Sequence, residues 1–81
     1  MTERRLVLVT WIDSCSIGTA GRWVGAKDLD DLVLGECRSV GWVYRDSEVD
    51  LVIYSHDAGE DLGGEICIPK VCISSIKDLT E

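Results

Sequence analysis

Cys37–Tyr44 (CRSVGWVY), Val49–Ser55 (VDLVIYS) and Glu65–Ile76 (EICIPKVCISSI) follow one another with almost no spare sequence between them. Each run draws heavily on Val, Ile, Trp, Tyr or Cys and is bounded by Gly, Asp or Ser, the composition of short strands with one face against a core. In the first run Val40, Trp42 and Tyr44 share one face, and Gly41 and Val43 the other. In the second, Val49, Leu51, Ile53 and Ser55 alternate with Asp50, Val52, Tyr54 and His56. The pair reads as an antiparallel hairpin turning at Arg45–Glu48. A glycine inside a strand weakens it unless a bend or another backbone needs the space, so a close approach is expected at Gly41. The expected fold is mainly β, a small antiparallel barrel of about five strands with at most one short helix.

Outward from this hairpin, Leu6–Asp13 (LVLVTWID) reads as an opening strand, apolar enough for both faces to be covered along part of its length. Ser14–Gly25 holds three glycines and two serines and reads as a loop. Its Trp23 is expected to fold back on the barrel. In Lys27–Leu34, Leu29, Leu32 and Val33 recur at helical spacing and Gly35 offers a stop. One or two helical turns are expected, with a strand over Leu32–Leu34 as the alternative. His56–Gly64 (HDAGEDLGG) reads as a mobile, solvated loop. Pro69, which lacks an amide donor, should end a strand or lie at a sheet edge. Ile73–Ile76 should then resume as a final strand, or enter through one 3₁₀ turn.

With 81 residues the chain is expected to form one domain, residues 1–81, near the size below which a single core needs help from cross-links or partners. Assembly into a homo-oligomer follows as an expectation. Fifteen acidic against eight basic residues give a net charge of −7, which disfavours duplex DNA, a partner that requires many neutralised phosphates. No run reaches the roughly 20 apolar residues of a membrane-spanning helix, and no membrane partner is expected. The four-residue apolar run after Arg5 is too short for a secretory segment, which points to a cytoplasmic setting. Cys15, Cys37, Cys67 and Cys72 are accordingly expected to be reduced and buried. The Cys67–Cys72 spacing lacks the second pair that a zinc site needs, and neither metal nor cofactor is expected.

No acid, base and nucleophile set stands out, so the chain reads as a binding module and not an enzyme. His56 beside Asp57 is a lone strand-end imidazole, and Cys15 has no neighbouring cation in sequence to activate it. Asp13 and Ser14 follow a strand and read either as a turn or as the polar corner of a ligand pocket, with Trp11 or Trp23 as a stacking surface. Arg38 and Ser39 precede Gly41, and Lys70 follows Pro69. The cations are candidates for reading an anion, or for simple ion pairs with Asp13, Glu36 or Glu65. The acidic pairs Asp30–Asp31 and Glu60–Asp61 read as solvated faces. Three tryptophans and two tyrosines without phenylalanine lean towards a surface where rings meet a partner.

Across residues 32–76 the order of elements resembles the Sm and Hfq-type barrels, carried by Gly41 in a bent strand, Asp46 at the hairpin and Lys70–Ile76 (KVCISSI), which is similar to the lysine-led second Sm motif. That resemblance implies an SH3/Sm-like barrel and, as one alternative, single-stranded RNA binding. Pro69 and the absence of histidine after Lys70 depart from the Hfq pattern. Nearly the whole chain, through Trp11–Ser14 (WIDS), Cys37–Val43 (CRSVGWV) and Cys67–Lys70 (CIPK), also resembles short accessory proteins of phages and prophages. It implies action in the cytoplasm of an infected bacterium, by sequestering a small anionic, nucleotide-like ligand or inhibiting a host defence factor. A protein-binding adaptor is the further alternative. The binding residues expected on this reading are Trp11, Asp13, Ser14, Trp23, Arg38, Ser39 and Lys70.

Overall fold

The computed structural model describes residues 4–14 and 23–81. The chain runs through β1 (Leu6–Asp13), a 3₁₀ helix (Ala26–Asp31), β2 (Gly35–Asp46), β3 (Asp50–Tyr54), β4 (His56–Asp57), β5 (Leu62–Gly63), β6 (Ile66–Pro69), a second 3₁₀ helix (Lys70–Cys72) and β7 (Ile73–Leu79). Five strands form one sheet in the order β6-β3-β2-β1-β7, with every neighbouring pair antiparallel, and β4 pairs with β5 in a small separate ladder.

The register sorts the side chains. Val7 lies opposite Gly41 and Val9 opposite Ser39, while Ile53 is opposite Val43 and Ile66, and Leu51 opposite Ile68. Strand alternation therefore puts these residues on one face. There Val7, Val9, Leu51, Ile53 and Ile68 are buried, with Trp11, Val43, Ile66, Ile73 and Ile76 packed around them.

Gly41 has the close approach its position calls for: a Cβ built on it would lie 2.7 Å from the Tyr54 carbonyl oxygen and 3.3 Å from the Ile53 Cβ. Three residues further on, the pairing of β2 with β3 skips Tyr44, a bulge that bends β2 as it passes from β1 to β3. The hairpin closes through Ser47, whose amide donates to the Asp50 carbonyl at 2.9 Å.

The two edges of the sheet, β6 and β7, are joined only by the three-residue second 3₁₀ helix. Four peptide steps reach at most about 14 Å, whereas the edges of a flat five-stranded sheet lie roughly 19 Å apart. The sheet is consequently rolled, with its edges drawn together. Among the described residues no ladder joins β6 to β7, so the closed barrel expected from sequence is not present as a hydrogen-bonded cylinder. Pro69 ends β6 at the sheet edge, where its missing amide goes unnoticed, and the 3₁₀ turn leads into β7.

Several expectations change. Trp23 is 97% exposed and does not fold back on the sheet. The helical turns expected in Lys27–Leu34 are there, as the 3₁₀ helix Ala26–Asp31, but they stop at Asp31, before Gly35, and bury no residue. His56–Gly64 is not an unstructured loop: β4 and β5 pair across a turn in which the Ala58 amide donates to the Asp61 carbonyl at 2.9 Å. Gly59, at φ 92°, supplies the left-handed residue of that turn. Cys37, Cys67 and Cys72 are free thiols, but none is buried: Cys37 and Cys72 are half-buried, and Cys67 is exposed, since Ile66 and Ile68 on either side of it point into the core. Cys15 lies outside the described residues.

The molecule is long. Its Cα radius of gyration is 16.4 Å and its extents are 56 × 24 × 22 Å, against a radius of about 12 Å for a compact chain of this length. Beyond the paired ends of β1 and β2, at Asp13 and Gly35, the segment 23–34 presents Trp23, Val24, Leu29, Val33 and Leu34 to solvent.

Candidate binding surfaces

The residues singled out from sequence divide between the faces of the sheet. Trp11 and Ser39 come together on the core-facing side, where the indole Nε1–H donates to Ser39 Oγ at 3.0 Å. Asp13 ends β1, and its carboxylate accepts from the Ser14 amide at 2.8 Å. That contact is the turn role foreseen for Asp13 and Ser14, made one residue on. Arg38 precedes Ser39 in the strand, so alternation sends it to the opposite face, and it has no ion-pair partner among the described residues.

Lys70 lies elsewhere. Its Nζ is bonded to Asp46, not to Asp13 or Glu65. Asp46 also meets Arg5 at 3.3 Å, and Arg5 reaches Asp78 at 2.6 Å. The Lys70 hydrogen bond, reinforced by both cations, holds the Asp46 carboxyl below the usual carboxylate range. This alternating chain of charges ties β2, the second 3₁₀ helix, the start of β1 and β7 together across the rolled sheet. A cation already neutralised in this way is a weak anion receptor. The seven residues therefore do not converge: Trp11 with Ser39 is one unit, Lys70 with Asp46 another, and Arg38 and Trp23 stand apart.

A second electrostatic unit holds the hairpin. Arg45 grips Asp50 in a two-pronged ion pair at 3.1 and 2.8 Å, and Ser47 Oγ donates to the same carboxylate at 2.8 Å. With the Arg45 bond as the leading cause and the Ser47 bond next, the Asp50 carboxyl is pulled down to about 2. Arg4 stacks on Trp42, 4.2 Å from the ring centroid, and is paired with Asp57 and Glu81. Trp42 in turn lies against Tyr54, with centroids 5.7 Å apart. Its indole N–H is buried without a partner among the described residues.

Two concavities mark the described surface, and none of the seven residues lines either. One, of about 390 Å³, is bordered by Arg4, Arg5, Leu6, Asp78 and Leu79, and its charges are already paired, Arg5 with Asp78 and Arg4 with Asp57 and Glu81. The other, of about 370 Å³, has Tyr44, Val52, Tyr54 and Leu62 for its apolar lining and Glu60, Asp61 and Glu65 at its rim. Sequence reading passed over this groove because the Gly and acid run His56–Gly64 looked like solvated loop. The available signal was the shared parity of Tyr44 with Trp42 on one strand and of Tyr54 with Val52 on its neighbour.

Among the described residues no group of His, Cys, Asp and Glu converges tightly enough to hold a metal ion, and no helix is long and apolar enough to cross a membrane. Comparison with protein-family models, with characterised proteins and with solved structures returned no match.

Proposed function

We propose that the chain is a non-catalytic binding module of SH3/Sm-like topology, a barrel left open between its edge strands, that works as a homo-oligomer and contacts other proteins. The observation that carries this reading is the segment 23–34, where Trp23, Val33 and Leu34 are 97%, 73% and 72% exposed beside Val24 and Leu29. Apolar side chains gathered in one projecting segment are a standing cost in water and a gain on association. The occupant that best fits is a second copy. Among the described residues only five side chains are fully buried, so the fold gains from burial that a partner copy supplies. The resemblance to phage accessory proteins gives the setting, an infected bacterial cytoplasm in which such an assembly engages a host protein.

Capture of a small anion is the weaker reading, because Lys70 is held by Asp46 and Arg38 lies across the sheet from Trp11 and Ser39. Amide hydrogen exchange at rising protein concentration tests the proposal. Protection should grow selectively within residues 23–34. Exchange there that is fast and independent of concentration defeats it.

A further inference from the structure

We infer that the groove between β2, β3 and the β4–β5 hairpin is a binding site for an organic cation, an ammonium or guanidinium group carried on an aliphatic stem. Its lining is made by Tyr44, Tyr54, Val52 and Leu62, and its rim by Glu60, Asp61 and Glu65. Tyr44 is 68% exposed at the β2 bulge, its ring presented to solvent by the residue skipped in the ladder. Tyr54 is 9% exposed, so its ring is held in place beside Trp42 while it lines the groove.

The charges agree. Arg4, just before β1, is taken by Asp57 and Glu81, Arg45 on β2 by Asp50, and the three rim acids have no ion pair among the described residues. Their mutual repulsion, in a chain of net charge −7, is relieved by a positive ligand. The carboxylates do not converge as a metal site requires, and a hard cation has no use for an aromatic and aliphatic lining. A cation on a greasy stem uses every part: the stem lies on Val52 and Leu62, the charge meets the ring faces and the acids.

The shared chemistry has two sources, a free polyamine and a Lys or Arg side chain of a peptide. Backbone amide NMR shifts separate them when the intact protein is titrated with spermidine, with N-acetyl-arginine amide and, as a control, with magnesium chloride at matched ionic strength. Saturable shifts are expected at Tyr44, Val52, Leu62 and Glu65 with at least one of the organic cations. Spermidine alone assigns the free amine, and N-acetyl-arginine amide alone or both ligands assign a site open to side chains. Tyr44→Leu keeps the apolar surface but removes the ring, and should weaken binding roughly threefold to tenfold. Glu60→Gln with Asp61→Asn should weaken it at least as much. Linear, non-saturating shifts, an equal response to magnesium, or full affinity in Tyr44→Leu would each overturn the proposal.

Discussion

Gly41 sits beneath the carbonyl of Tyr54 with no room for a methyl group. Backbone, unlike a flexible side-chain tip, cannot step aside cheaply, so Gly41→Ala should destabilise the fold by about 1–3 kcal/mol. Urea unfolding measures it, and a midpoint equal to wild type would show that β3 does not press on β2 there. Asp50 makes a prediction of a different kind. Its carboxyl is lowered from 3.8 to about 2 by Arg45 and Ser47. A carboxylate with a depressed folded pKa contributes stability that is fully present above its unfolded pKa and fades as pH falls through the folded one. The difference in melting temperature between wild type and Asp50→Asn should therefore be constant above about pH 5 and shrink between about pH 4 and pH 2. A difference that does not change with pH would contradict the clamp. At this scale the sequence was informative wherever backbone chemistry dictates the outcome, as at Gly41 and Pro69. It was silent on ion pairing: Lys70 meets Asp46, which is 24 positions away, and no spacing rule announces such a contact.

The elements were legible where alternation is strong. Val49–Ser55 becomes β3 because Leu51 and Ile53 face the core from one side of the strand. Leu6–Asp13 has the same logic. The 3₁₀ turn between Pro69 and Ile73 follows from a proline that ends one edge strand just before an apolar run that must begin another. What escaped were short elements held by turn geometry: β4 and β5 are two residues each and carry no hydrophobic pattern. Trp23 failed for a different reason, since composition says that an indole wants cover and not whether the cover comes from its own chain. The short strand β6 yields the next prediction. It contributes one fully buried side chain, Ile68, to a core of very few. Ile68→Ala should cost about 2–5 kcal/mol, read as a lower urea midpoint together with faster amide exchange across β3 and β6. A loss under half a kcal/mol would mean that β6 is not part of the cooperative core.

For the whole molecule, a core of five fully buried side chains among the described residues and a radius of gyration of 16.4 Å describe a chain that leaves much of its apolar surface uncovered. Trp23, Val33 and Leu34 stand in water, and the association proposed above would cover them. The topology, with two sheet edges brought near each other by one 3₁₀ turn, was within reach of sequence reasoning, while the open seam and the projecting segment depend on distances that no pattern encodes. The groove beside Tyr44 and Tyr54 was passed over because its far wall comes from His56–Gly64, a run of acids and glycines with no hydrophobic pattern. Multi-angle light scattering at tens of micromolar tests the central claim most directly, with wild type beside a variant carrying Trp23→Ser, Val33→Ser and Leu34→Ser. Wild type should have the mass of a dimer or larger assembly, and the variant should be a folded monomer with an unchanged far-ultraviolet spectrum. A monomeric wild type, or a variant that assembles as wild type does, would contradict the account.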